Sequence, residues 1–403
     1  MMPIFFTQRY ILLFIIACLL LFNAGCFKKP TPVDMTPVLY PLSSQQLPSF
    51  KDDLNYRQLM DSIQQSLAYL KRIPRHRLFA FGNDTYHTPH MIRSLEFFLD
   101  YIQTHPTSQQ LKDFVQKNYR VYRSTGRKQS RIVMFTGYYE PLLQGSLIPS
   151  GDYRYPVFAL PDDLLKIDLA LFSEKWKGQK IIGRLSNQTV VPYYTRKQIA
   201  ALNVLEQKER PLLWVNNQID LFFLQIQGSG KVKLESGESL NLHYAGTNGH
   251  PYRSIGKLLI NKGKIAQEEM SMQKIKSYLT QHPDEIQDIF NFNPSYVFFQ
   301  TETEGPLGCL NVPLTPSRSI ATDQQIFPPA ALCYIQTQKP IVDSSGEIRN
   351  WIDFGRFVLN QDTGGAIRGA GRADLFCGHG AYAETTAGHL KHDGALYTLI
   401  LKP

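Results

Sequence analysis

The segment Gln361–Gly378, reading QDTGGAIRGAGRADLFCG, constrains the fold more than any other part of the chain. Its glycine density is incompatible with a helix, because each glycine brings conformational freedom that a helix must remove. Glycine also lets the backbone turn sharply and approach other groups closely, so the segment reads as a loop delivering Asp374 onto a short strand. Leu375, Phe376 and Cys377 follow directly. A carboxyl held against apolar neighbours is a candidate general acid because burial disfavours its charge, whereas Arg372, pointing the same way, would favour it. The plain alternative is that Asp362 caps a turn and Asp374 makes a surface ion pair.

The other end of the chain is equally distinctive. Residues 1–25 contain one charge, Arg9, an apolar run over Tyr10–Phe22, and then Asn23, Ala24 and Gly25 before Cys26. The run is too short to span a bilayer comfortably and closes on small residues, as a cleaved secretory signal does. A cysteine directly after Ala-Gly resembles a bacterial lipoprotein site, with Cys26 carrying the lipid; Asn23 departs from the usual aliphatic residue, and an uncleaved anchor is the alternative. Phe27 supplies no inner-membrane retention signal, so resemblance to such lipoproteins implies the outer membrane, facing the periplasm of a Gram-negative bacterium.

Beyond the leader there is chain enough for two domains, or for one large domain with an insertion. Hydrophobic residues at 43% against 19% charged describe a folded chain, not a disordered one. A net charge of +9 suits anionic surfaces such as membrane, cell wall or nucleic acid. With Cys26 lipidated, Cys309, Cys333 and Cys377 allow at most one disulfide, which excludes a disulfide framework.

Residues 27–47, rich in Pro, Ser and Gln, read as an unfolded tether. Apolar spacing predicts helices over Leu54–Leu70, Met91–Gln103 and Gln109–Arg123. Strand-like runs follow at Arg131–Phe135, Tyr153–Leu160, Thr189–Tyr194, Gln218–Gln227 and Lys231–Tyr244. One amphipathic helix over Ala266–Thr280 precedes a strand at Tyr296–Gln300 and a β-rich tail. The fold class is therefore mainly β with an α-helical N-terminal part, an α+β chain.

Three upstream motifs bear on the aspartates. In FTGYYEP, Phe135–Pro141, Tyr138, Tyr139 and Glu140 are of the types that bind sugars, rings on apolar sugar faces and polar tips on hydroxyls, though adjacent tyrosines on a strand point to opposite faces. In IDLFFLQIQGSG, Ile219–Gly230, Asp220 opens an apolar strand on which Gln225 and Gln227 share a face, and Gly228-Ser229-Gly230 reads as a hairpin turn more readily than as a phosphate loop. In GPLGCLNVPLTPSRSIATD, Gly305–Asp323, Arg318, Ser319 and Asp323 are polar groups that could reach a cleft but are individually ordinary surface residues.

These motifs, together with GTNGHPYRSIGKLLI at Gly246–Ile260 and NPSYVFF at Asn293–Phe299, resemble in order and spacing the membrane-bound lytic murein transglycosylase A family. The resemblance runs from about Arg131 to the C-terminus. It implies a double-psi β-barrel carrying the aspartates, a second β-rich domain inserted into it, and a groove for glycan between them. On this basis the expected organisation is a signal peptide over 1–25, a lipidated tether over 26–47, the barrel with its helices over 48–145 and 300–403, and the insert over 146–299. The resemblance also implies a catalytic acid at Asp374, support from Asp362, and substrate contacts from Tyr138, Tyr139, Glu140, Asp220, Gln227, Ser229 and Arg372. Cys377 and His379 depart from the family pattern.

The reaction implied is cleavage of the β-1,4 bond between N-acetylmuramic acid and N-acetylglucosamine, with the sugar's own 6-hydroxyl forming a 1,6-anhydro product. A substrate-borne nucleophile explains how one carboxyl can replace the pair that ordinary glycosidases use. No cofactor and no metal are expected. The implied partners are peptidoglycan glycan strands, the outer membrane through the anchor, and other cell-wall enzymes; no nucleic acid is expected. The rivals are a peptidoglycan-binding lipoprotein without activity, and a metal-dependent cell-wall hydrolase using Cys377, His379, His389 and His392.

Overall fold

The computed structural model describes residues 38–205 and 211–403, so the leader and Cys26 lie outside the described residues. Six strands form a closed ring in the order Lys391–Leu401, Leu332–Val342, Ile348–Asp362, Ser319–Ala321, Arg372–His379, Val133–Glu140, and back to Lys391–Leu401. Two of the pairings are parallel, Ser319–Ala321 with Ile348–Asp362 and Arg372–His379 with Val133–Glu140, and the rest are antiparallel. Closure leaves the ring no free edge. Its interior takes alternate residues of each strand, such as Val133, Phe135, Ala373 and Leu375, which forces Thr136, Tyr138 and Asp374 to face outward.

Tyr119–Ser124 adds to the outside of Lys391–Leu401, and Leu39–Pro41 pairs with it in turn. The expected tether is thus ordered from Leu39, whose side chain is fully buried. The predicted helix Gln109–Arg123 stops at Asn118, because from Tyr119 the buried residues take up the alternation of a strand. The other two expected N-terminal helices form with shifted ends, Leu59–Arg72 starting after a turn over residues 53–58 that includes left-handed Asn55, Tyr56 and Gln58, and Thr88–Ile102 starting ahead of Met91, and both pack their apolar stripes on the barrel core.

The chain leaves the barrel at Pro141. Leu142–Ser146 belongs to a second sheet of six strands, completed by Tyr155–Val157, Leu213–Val215, Ser229–Leu234, Ser239–Thr247 and Val297–Glu302. A three-stranded sheet over Leu165–Pro192 and helices at Arg196–Leu202, Gln218–Gln227, Ile255–Asn261, Met272–Gln281 and Ile286–Phe292 complete the insert. Its interior is three separate clusters, in contrast to the continuous core of the barrel.

One expectation fails here. Gln218–Gln227 is a helix, capped by Asn217, whose Oδ1 accepts the backbone N–H groups of Ile219 and Asp220, and ended by Gly228 in the left-handed region at φ 83°. Gly228-Ser229-Gly230 is consequently a helix-to-strand junction and not a hairpin turn, and Gln225 and Gln227 do not share a strand face. The helix looks strand-like in sequence because it is buried on two sides: Ile219, Phe222 and Phe223 enter one cluster while Leu224 and Leu221 enter another, which erases the helical apolar stripe.

Candidate active site

The two aspartates meet through one very short strand. Ala321, at the end of Ser319–Ala321, is in register with Asp362 on one side and Asp374 on the other. Their Cα atoms therefore stand two strand spacings apart, roughly 10 Å. The opposing wall is Val133–Glu140, where Thr136 is in register with Asp374 and Tyr138 with Phe376.

Asp374 accepts a hydrogen bond from the Thr136 hydroxyl and is gripped by Arg372, whose Nε lies 3.0 Å from Oδ1 and Nη2 3.2 Å from Oδ2. Arg372 also reaches Thr136 Oγ1 at 3.3 Å, which closes a three-member network. Arg372 does therefore point the same way as the carboxyl. Leu375 faces the barrel core, so the apolar contact on this face comes from Phe376, which packs on Tyr138 with ring centroids 5.2 Å apart.

Asp362 has neutral donors only. Tyr138 Oη donates to Oδ2 at 2.8 Å and the Cys309 backbone N–H to Oδ1 at 3.0 Å. Burial pushes its pKa up to about 6, and these hydrogen bonds pull the other way without cancelling it. Burial, then the Asp362 charge, hold the Tyr138 phenol well above its usual value, so it remains a donor. Behind Asp362, the fully buried Gln361 fixes the strand: its Nε2 donates to Ser62 O at 2.8 Å and Ser66 Oγ at 3.0 Å, and its Oε1 accepts from Ser319 Oγ at 2.6 Å and Ser62 Oγ at 3.2 Å.

Several expected substrate contacts turn out to be enclosed. Tyr139 is buried on the other face of its strand, with Oη 3.2 Å from Glu384 Oε1. Glu140 is only 3% exposed, 4.0 Å from His379 Nδ1, and burial raises its pKa. Neither can lie against a sugar. Asp220, in the first turn of its helix, is paired with Lys276 Nζ at 3.1 Å, and the same nitrogen reaches Glu384 Oε1 at 2.9 Å. Gln227 Oε1 accepts the Tyr139 backbone N–H at 3.3 Å, and Ser229 opens the neighbouring strand. Gln227, Lys276 and Gln273, whose Nε2 donates to Glu384 O at 2.9 Å, thus fasten insert to barrel directly behind Tyr138. Gly137 is required at this joint, because a Cβ there would stand 2.8 Å from Ala387 Cα.

The sequence reading missed Thr136, Gln361, Lys276 and Glu384. Thr136 lies inside the tyrosine motif and carried a signal, since it is two residues from Tyr138 and so on the same strand face. Arg318, Ser319 and Asp323 reach no cleft. Arg318 is fully buried with Asp52, Nη1 at 2.6 Å and Nη2 at 2.9 Å from its carboxylate, Ser319 binds Gln361, and Asp323 accepts the Gly369 N–H at 2.8 Å. The residues of the zinc alternative are not gathered: His379 lies by Glu140, His389 Nδ1 is 2.9 Å from Thr385 O, His392 packs tilted against Trp351 with ring centroids 4.1 Å apart, and among the described residues no three His, Cys, Asp or Glu side chains are placed to hold a metal ion. Cys309, Cys333 and Cys377 are free thiols.

The fold and site together define a double-psi β-barrel protein that presents two strand-borne carboxyls beside an inserted β domain. The MltA specific insert domain family matches residues 134–300 and the 3D domain family residues 318–400. Membrane-bound lytic murein transglycosylase A of Escherichia coli K12 is 31% identical over 67% of this chain, and the chain spans 66% of that relative's length. The Vibrio cholerae protein of the same name is 31% identical over 69% of this chain and 67% of its own length. The crystal structure of a membrane-bound lytic murein transglycosylase from Agrobacterium tumefaciens superimposes with a TM-score of 0.74 at 27% identity, covering 90% of this chain and 97% of that one. The chain belongs to the membrane-bound lytic murein transglycosylase A family.

Proposed function

We propose that the chain is a peptidoglycan lytic transglycosylase that cleaves the β-1,4 bond between N-acetylmuramic acid and N-acetylglucosamine and leaves a 1,6-anhydro end. The observation that carries this reading is the placement of Asp374, aimed by strand register to the outer face of the barrel beside the insert and joined there to Arg372 and Thr136. Asp374 protonates the glycosidic oxygen as its bond to the anomeric carbon breaks. Arg372 and Thr136 then stabilise the carboxylate through charge-assisted hydrogen bonds. The substrate's 6-hydroxyl attacks the anomeric carbon and returns its proton to Asp374, so no water is consumed and the carboxyl ends as it began.

Asp362, with both oxygens already held, serves as a positioning residue that orients Tyr138 along the glycan path. The Gln227 amide nitrogen and the Ser229 hydroxyl, at the end of the insert helix, are assigned to sugar hydroxyls. Lipid on Cys26 would hold the enzyme at the outer membrane, facing the periplasm; among the described residues no helix is long and apolar enough to cross a membrane.

The test is mass spectrometry of purified peptidoglycan digested by the chain and by an Asp374→Asn variant. The expected products carry 1,6-anhydro-muramic ends and fall by about 10²–10⁴-fold in the variant. Reducing ends, heavier by one water, would mean hydrolysis, and binding without cleavage would mean a glycan-binding lipoprotein. A second reading assigns the acid to Asp362, and its pKa of about 6 favours that role. An Asp362→Asn loss as large as that of Asp374→Asn, together with the disappearance of the limb near pH 6 in the pH–rate profile, would select it; a profile with no group titrating between about 4 and 7 would defeat the acid–base scheme for both.

A further inference from the structure

The insert contains a cavity of about 390 Å³ that the reaction above does not use, bounded by the Arg196–Leu202, Gln218–Gln227 and Ile286–Phe292 helices and the Tyr155–Val157 strand. Arg196 is buried in its wall, with the guanidinium 4.8 Å from the centre of the Phe222 ring and 5.1 Å from that of Tyr296. Nε and Nη2 donate to Ser295 O at 3.1 and 2.8 Å. Among the described residues no carboxylate lines the cavity and none forms an ion pair with Arg196, while a second cation, Arg154, stands exposed at its edge. A buried cation that lacks a counter-charge is costly, and burial lowers the Arg196 pKa to about 10.

The same cavity has the opposite deficit in hydrogen bonding. Gln225 is 5% exposed and, among the described residues, its Oε1 has no donor; Asn291 Oδ1 is likewise buried without one. An unmet buried acceptor asks for an N–H or O–H from whatever fills the space. A sugar would satisfy the acceptors but not the cation. An inorganic anion would satisfy the cation while supplying few donors. A carboxylate with neighbouring amide N–H groups satisfies both, and the aromatic walls suit its small apolar side chains.

We propose that this cavity is a second binding site, taking a short peptide with a free α-carboxylate, the carboxylate on Arg196 and the amide N–H groups on Gln225 and Asn291. Its natural source, the stem peptide of the same cell-wall polymer, rests on the reading of the enzyme given above; the chemistry of the cavity does not. Occupancy would let the insert sense peptide-bearing glycan independently of cleavage.

The test is calorimetric titration of the full chain with N-acetyl-D-alanyl-D-alanine, with its C-terminal amide, and with inorganic phosphate. The expected result is saturable binding of the acid, at least ten-fold weaker binding of the amide, and weaker binding of phosphate. Gln225→Glu places a carboxylate in the same cavity as Arg196 and should cost at least ten-fold in peptide affinity while the melting temperature holds or rises, and Asn291→Leu should weaken the peptide several-fold. No saturable binding, equal affinity for acid and amide, phosphate binding as tight as the acid, or full affinity in Gln225→Glu would overturn the site. Turnover of peptide-free glycan by Gln225→Glu is expected to equal that of the unaltered chain. Glycan that is not cleaved by either, with peptide still bound, would defeat the transglycosylase reading and leave this site standing.

Discussion

Barrel and insert hold their polar groups by different means. In the barrel, strand register aims Thr136, Tyr138, Asp362 and Asp374, and a second layer of buried polar groups behind them, Gln361 with Ser62, Ser66 and Ser319, fixes that register. In the insert, the groups that meet the barrel come from helices, Gln227 in a last turn and Lys276 from a partly exposed helix face, with Lys276 in turn held by Asp220 in a first turn. Sheet hydrogen bonds leave little freedom; helix ends and long side chains leave more. On the proposed reading the chemistry sits on the rigid partner and the adjustable contacts sit on the other.

Gln361→Leu tests this contrast most severely. It keeps the volume but leaves Ser62 O, Ser66 Oγ and Ser319 Oγ without the amide. At about 1 kcal/mol or more for each buried group left unmet, the chain should lose roughly 3 kcal/mol by denaturant unfolding. Activity should fall further than the folded fraction does, because Asp362 is the next residue. If activity simply follows folding, the register behind the aspartates is not what aims them.

That layer was nearly invisible in the sequence. Gln361 and Ser62 lie almost three hundred residues apart, and no local spacing announces that a serine on an N-terminal helix will face a glutamine on a barrel strand. The glycine-dense segment and its aspartates were legible because composition alone excluded a helix, whereas Leu375, counted among the neighbours that bury the carboxyl, faces the barrel core by the alternation of its strand. The helix Gln218–Gln227 was illegible by periodicity, yet its ends were written in Asn217, Asp220 and Gly228, a cap, an acid in the first turn and a left-handed stop. Boundaries read from caps would have recovered what the apolar pattern concealed. Arg318 shows the converse: a charged residue in a Pro-rich stretch reads as surface, and only the fold brings Asp52 to neutralise it.

The next test separates the two carboxyls. Asp362 has a folded pKa of about 6, above its ordinary value of 3.8, so between those pH values the folded chain binds the proton more tightly than the unfolded chain does. The Asp362 contribution to stability should therefore fall as pH rises from about 4 to about 6, by about 3 kcal/mol, and level off above. Asp362→Asn should remove that contribution, measured as the difference in unfolding free energy between the two chains at pH 4, 5, 6 and 7, and leave only the decline that the raised pKa of Glu140 supplies. A decline of undiminished size in the variant would place the titrating group elsewhere. A smaller effect is expected from Asn217→Ala, which removes the cap of the insert helix and should cost about 1 kcal/mol; the barrel should not register it, and product formation per folded molecule should change only through Gln227.

Lys276→Met is the mildest change and bears most directly on the contrast. Lys276 joins Asp220 in the insert to Glu384 in the barrel, but both carboxylates are more than a third exposed, so solvent screening should hold the loss of stability to about 1 kcal/mol or less. The functional consequence should differ in kind from that of any barrel substitution. Without the bridge, Gln227 and Gln273 still fasten the insert near Tyr139, but its hold on the glycan should loosen while Asp374, Arg372 and Thr136 stay in register. KM for glycan strands should therefore rise several-fold with kcat little changed, because an interaction shared by ground and transition states would have been weakened. Lys276→Arg, which can still span the two carboxylates, should restore most of the affinity. An equal fall in kcat would mean that the bridge also sets the acid's geometry, and that the division between a rigid chemical half and an adjustable binding half does not hold in this protein.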